Sequence, residues 1–77
     1  MKTKITFKGS GKDQSYQIDT ELGIQPAEKT VMTFYDVDQV PDWVRNGRWY
    51  VCSTQIDFIG SASYMVPLMT VSLKTTI

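Results

Sequence analysis

The sequence predicts a small, mainly β domain whose elements follow the order β-β-β-α-β-β. Two observations lead to this prediction. Most of the chain alternates between apolar and polar residues with a period of two, which is typical of half-buried strands. Segments rich in glycine, proline and small polar residues interrupt this alternation and mark turns. The 77 residues leave room for one domain, residues 1–77, with a small core.

The first two strands form a predicted hairpin. Apolar residues share one face of segment 2–8, glycines 9 and 11 mark a turn, and the alternation resumes over 15–22. Each face should match its neighbour in chemistry, which favours a register in which partner numbers sum to 23. The predicted pairs are Phe7 with Tyr16, Ile5 with Ile18, Thr3 with Thr20, Lys4 with Asp19, and Lys2 with Glu21.

The middle of the chain contains a loop, a third strand and a short helix. Residues 23–29 include Pro26 and are predicted as a loop, whereas 30–37 are apolar on both faces, which suits a central strand. Segment 38–47 has two interpretations. Pro41 suits the start of a short helix that ends before Gly47, while Asn46-Gly47 is typical of a type I′ hairpin turn. We favour the helix, because proline fits poorly inside a strand.

Two further strands complete the predicted domain. Segment 48–59 alternates, and the face expected in the core carries Tyr50, Cys52, Thr54, Ile56 and Phe58. A turn over 60–62 leads into a fifth strand, 63–73, in which Pro67 indicates an edge or a bulge. The predicted fold is a five-stranded antiparallel sheet or an OB-like or SH3-like barrel with one short helix, and a helix-covered meander uses the same elements.

The composition disfavours several kinds of chemistry. Eight Lys and Arg balance eight Asp and Glu, and the chain has no His and one Cys. A zinc site built from His and Cys is therefore excluded, and no intrachain disulfide can form. We expect Cys52 to be a core residue rather than a nucleophile, because no His is present to activate it. Neither a membrane span nor an export signal is recognisable, so we expect a cytoplasmic protein.

Two motifs resemble ligand sites only in part. The Gly9–Lys12 turn lacks the first glycine and the Ser or Thr of a phosphate-binding loop, and a strand follows it instead of a helix. Asp36, Asp38 and Asp42 lack the remaining ligands and the turn glycine of a calcium-binding loop. We therefore predict no catalytic residues, no metal site and no cofactor.

Segment 43–50 is the most suggestive for binding. It holds both tryptophans and both arginines, residue types that are enriched in protein interfaces, and an acidic stretch precedes it. Packing of the two tryptophans in the core is the alternative. The candidate partner-binding residues are Trp43, Arg45, Arg48, Trp49, Asp36, Asp38 and Asp42.

We predict a non-enzymatic protein-binding module, an inhibitor or adaptor of a cellular host protein, as small viral and mobile-element proteins can be. The alternative is an OB-like module for single-stranded nucleic acid, although zero net charge and a pI near 6.1 count against it. A further alternative is a homo-oligomeric structural subunit that dimerises through an edge strand. The apolar residues considered for that contact are Met65, Leu68, Met69, Val71, Leu73 and Ile77.

Overall fold

A computed structural model describes residues 1–75 and contains one sheet of five strands, curled into a half-barrel. The elements are β1 (Lys2–Lys8), β2 (Ser15–Glu21), β3 (Val31–Met32), α1 (Asp42–Arg45), β4 (Trp49–Ser61) and β5 (Tyr64–Thr75). Strands make up 55% of the described residues. The predicted fold class and the order β-β-β-α-β-β are confirmed.

The first hairpin has the predicted register. Phe7 lies opposite Tyr16, Lys4 opposite Asp19 and Lys2 opposite Glu21, as the sum of 23 requires. The sheet is mixed, however, because β1 and β5 run parallel in the order β2-β1-β5-β4-β3. A period of two is common to parallel and antiparallel strands, so the local pattern did not show the direction of this pairing.

The last strand occupies the centre of the sheet. β5 pairs with β4 on one side, and with β1 on the other from Leu68 to Lys74. Met69, Val71 and Leu73 are consequently buried, and the prediction that these residues lie on an edge strand is wrong. Ile77 lies outside the described residues. Pro67 precedes the first pair with β1, so it faces an open edge there, as predicted.

The third strand is shorter than predicted. Only Val31–Met32 pair with β4, whereas the prediction covered 30–37. The chain leaves the sheet after Met32, and Phe34 packs edge-on against Phe7 with ring centroids 4.8 Å apart. Phe34 therefore packs against the core in place of extending β3, because its contact with Phe7 outweighs the local preference for a strand.

The predicted helix is present as a single turn. Pro41 stands immediately before α1, and Gly47 follows its end. Asn46 adopts right-handed helical angles (φ −88°, ψ −6°), so the type I′ turn does not form. The helix has four residues, and no helix within residues 1–75 is long and apolar enough to cross a membrane.

A β-bulge at Cys52 reverses the predicted faces at the start of β4. The register against β5 shifts between Val51 and Ser53. Trp49 and Val51 are therefore buried, and the prediction that Tyr50 and Cys52 face the core in their place is wrong. The extra residue changes which side chains point inward, so the predicted face is recovered only beyond the bulge.

Candidate protein-binding surfaces

The two tryptophans of segment 43–50 pack against each other. Trp49 is 1% exposed, and its ring centroid lies 5.1 Å from that of Phe7. Trp43 is half-buried, with its ring centroid 5.9 Å from that of Trp49. Trp49 thus follows the core-packing alternative, and only Trp43 presents part of its indole at the surface.

The charged residues of the predicted site fall into two groups. Asp42 and Arg45 form an ion pair of 2.8 Å across α1, and Arg45 also donates to the carbonyl of Val40 at 3.4 Å. This pair neutralises itself and stabilises the helix turn. Asp36, Asp38 and Arg48 are exposed and can meet a partner.

A shallow cleft of about 240 Å³ lies beside Trp43. Its lining includes Gly9 and Gln14 from the first hairpin and Asn46 and Gly47 from the end of α1. These lining residues carry no charged side chain, so the cleft offers shape and hydrogen-bonding groups to a partner rather than ionic contacts. It is well below the 300–1,000 Å³ typical of small-molecule sites.

The largest exposed apolar region lies at the opposite end of β4. We call residues 56–67, the final part of β4 and the first part of β5, the arm. β1 pairs with β5 only from Leu68 onward, and β3 pairs only with the first two residues of β4. The arm is therefore a two-stranded ribbon, in keeping with the elongated extents of 43 × 25 × 24 Å.

Both faces of the arm are apolar. Phe58 lies opposite Pro67, and Ile59 lies opposite Val66. Because directly opposed residues share a face and successive residues alternate, these two pairs lie on different faces. The exposed apolar side chains of the arm are Phe58 (64%), Ile59 (57%), Tyr64 (73%), Met65 (57%) and Val66 (36%).

The tip of the arm depends on a glycine. Gly60 has φ +128°, and a Cβ there would overlap the carbonyl oxygen of Tyr64. The strands remain paired to the last position, Ser61 with Tyr64, and the hydroxyls of Ser61 and Ser63 lie 3.1 Å apart. The arm is thus a continuous hairpin whose close backbone approach at residue 60 requires glycine.

Sequence reasoning did not identify the arm as a surface. It assigned Phe58 to the core, and it left Ile59, Tyr64 and Val66 without a role. One feature of the sequence marks this region: residues 49–73 contain no Lys or Arg, and Asp57 is their only charged residue. A strand that is apolar on both faces suits a buried position, and only the position of β1 and β3 shows that this part is uncovered.

Comparisons of the chain with protein-family models, with curated proteins and with solved structures found no match.

Proposed function

We propose that this chain is a non-enzymatic protein-binding module that contacts its partner through the arm. The observation that carries the proposal is the exposure of five apolar side chains on one projecting hairpin. In this proposal the chain acts in the cytoplasm as an inhibitor or adaptor of a cellular host protein.

The size of the apolar surface supports this role. Taking about 200 Å² for a fully exposed large apolar side chain, the five side chains together expose roughly 600 Å². That area is divided between the two faces of the arm, roughly 300 Å² on each, which is within the range of the largest apolar patches on monomers, and such patches are often functional. Covering it favours association by about 25 cal/mol for each Å² removed from water, before the loss of rotational and translational freedom is subtracted.

The charge of the arm favours protein over nucleic acid as the ligand. Asp57 is its one charged residue, and neither Lys nor Arg occurs in it. Binding of single strands combines stacking on aromatic side chains with cationic groups that follow the phosphates. Phe58 and Tyr64 supply aromatic rings, but the arm supplies no cation, so the protein-binding role fits it better.

The exposed charges near α1 form a second surface for the adaptor role. Arg48 directly precedes β4, and the last residues of β4 belong to the arm. The two surfaces therefore lie at opposite ends of a strand of 13 residues. At about 3.3 Å per residue, this separates them by roughly 40 Å. Asp36 and Asp38 are exposed in the loop before α1, and we place the contacts of the second surface there.

Photocross-linking from two matched positions tests the proposed contact. Tyr64 in the arm and Ile24 in the loop after β2 are similarly exposed, at 73% and 79%, and Ile24 belongs to neither proposed surface. Each is replaced in turn by a photoreactive phenylalanine in the full chain. We expect a covalent protein adduct from position 64 that disappears when excess unlabelled chain competes, and no such adduct from position 24.

The adducts are identified by mass spectrometry, and Arg48→Ala tests the second surface in the same assay. Equal labelling from positions 64 and 24, or none from position 64, would contradict a role for the arm. A normal adduct from position 64 combined with a lost second partner in Arg48→Ala is the result expected of an adaptor.

A further inference from the structure

One edge of the arm is open along β4. β5 covers one side of β4 over its whole length. The other side is covered only at its start, where Tyr50 pairs with β3, Val51 exchanges backbone hydrogen bonds with Lys29 and Thr30, and Thr54 donates to the carbonyl of Pro26. From residue 55 to residue 61, no strand among residues 1–75 lies on that side.

This open edge has few of the features by which strands usually avoid pairing with other chains. Such features are lysines, other charges, prolines and bulges. The open edge of β2 carries the exposed acids Asp19 and Glu21, and the open part of β5 contains Pro67. Residues 55–61 contain neither lysine nor proline, and Asp57 is their one charge. The edge of β4 is thus less protected than the open edges of β2 and β5.

The same segment is compatible with a second copy of itself. A two-fold axis through the edge pairs two copies of β4 antiparallel, and each residue then meets a fixed counterpart. With Phe58 on the axis, Asp57 lies opposite the partner's Ile59, and Ile56 lies opposite the partner's Gly60. The two acids are then diagonal neighbours about 7–8 Å apart rather than direct neighbours.

The arm suits such a dimer through its backbone edge rather than through its apolar faces. Edge pairing lies in the plane of the sheet, so it satisfies open backbone groups of residues 55–61 and brings Phe58 and Ile59 beside the partner's strand. Tyr64, Met65 and Val66 lie on β5, one strand further from the axis, so the dimer leaves much of both apolar faces of the arm exposed. A second copy is also the one partner that is present at the same concentration as the arm itself.

From these observations we propose that two copies of this chain associate through their arms by antiparallel pairing of β4 residues 55–61, with Phe58 at the two-fold axis. The inference rests on the proposed role of the arm in protein binding and deepens it: a second copy pairs with the open edge of the arm, and the apolar faces remain available to the host protein. The dimer would have one continuous sheet of ten strands, with the exposed charges near α1 at its two outer ends.

The mass of the chain in solution gives the first test. Light scattering from micromolar to millimolar concentration should show a dimer, twice the 8.8 kDa of the chain. Ile59→Lys places a charge in the pairing edge and should raise the dissociation constant at least about tenfold. Tyr35→Lys adds the same charge at a matched exposed position outside the arm and should leave the dimer unchanged. Circular dichroism confirms that both variants fold.

A disulfide tests the register. In the Cys52→Ser background, Phe58→Cys brings two thiols together at the axis, where the Cα separation of opposed residues is compatible with a disulfide. Mild oxidation should link the copies covalently, whereas Tyr35→Cys in the same background should remain largely unlinked. Efficient linkage at Tyr35→Cys, or none at Phe58→Cys, would overturn the proposed pairing.

The outcomes distinguish this inference from the proposed function. A mass of 8.8 kDa at every concentration, together with a cross-link from position 64 to a different protein, overturns the dimer and leaves the protein-binding role in place. The same mass with no cross-link from position 64 overturns both. A mass above two copies would also overturn the closed two-fold dimer.

Discussion

The indole Nε1 of Trp49 donates a hydrogen bond of 2.9 Å to the backbone carbonyl of Val44 inside the core. Trp49 belongs to β4 and Val44 to α1, so this bond fixes the helix turn against the sheet. Both residues are at most 1% exposed. A side chain selected by sequence as a candidate partner contact therefore joins the helix turn to the sheet.

Trp49→Phe should lower the free energy of unfolding by about 2–4 kcal/mol. The change removes the 2.9 Å indole bond to the buried carbonyl of Val44, which keeps only the longer bond of 3.4 Å from the Gly47 N–H, and it removes part of the ring contact with Phe7. Urea denaturation followed by circular dichroism measures the effect. Trp43→Phe is the matched control: Trp43 is half-buried, so the change should have less than half the effect of Trp49→Phe. Similar losses for the two variants would show that the internal hydrogen bond contributes little.

Lys4→Glu should weaken the first hairpin by roughly 0.5–1 kcal/mol, because it places two acids directly opposite each other, residue 4 and Asp19. Lys8→Glu changes the net charge equally but faces the neutral Ser15, so it should have a smaller effect. Thermal unfolding at low salt compares them. Adding Asp19→Lys to Lys4→Glu should restore stability, and failure of this rescue would mean that the facing charges interact little.

Gly60→Ala should destabilise the tip of the arm by about 1–3 kcal/mol, because alanine strongly disfavours φ +128° and its Cβ would overlap the Tyr64 carbonyl oxygen. Hydrogen exchange should show faster opening of the arm with little change near Val71. Gly23→Ala, where a Cβ meets nothing within 4 Å, serves as the control and should keep the exchange pattern of the parent chain.

Arg45→Gln should lower the stability of the domain by about 0.3–0.5 kcal/mol, the range for an exposed pair on one helix turn. The side chain of Asp42 is 84% exposed, so the loss should shrink in high salt, where the pair is screened. Arg48→Gln removes an equal charge outside α1 and should not show this salt dependence. Thermal unfolding at two salt concentrations measures both variants.

Local chemistry predicted the first hairpin in full. Period-two alternation fixed which residues share a face, and the charges of Lys2, Lys4, Asp19 and Glu21 selected one register. The helix turn was predicted for a similar reason: Pro41 and Gly47 impose local backbone preferences at its two ends. These features depend on residues close together in the chain or directly opposed in a hairpin, so the sequence contains the information needed.

The candidate site could be predicted only in part. Asp36, Asp38 and Arg48 are exposed as a partner surface requires, but the bulge at Cys52 turned Trp49 into the core. A one-residue shift reverses the faces of a strand, and the alternation on either side of it looks the same in sequence. The phase of β4 therefore depended on packing against residues distant in the chain, such as the contact of Trp49 with Phe7 of β1.

The sequence by itself determined a small mainly β domain, the order of its elements, the register of its first hairpin and a stretch from 49 to 73 with a single charge. Only the tertiary structure decided what that stretch does. β1 pairs with β5 as far as Leu68 and leaves Tyr64–Pro67 uncovered, so Met69, Val71 and Leu73 become core while Phe58, Ile59 and Tyr64 become surface. The physical reason is that a side chain is buried only where other elements of the fold pack beside and over it. Equally apolar residues of one strand therefore differ in burial when these elements cover only part of that strand.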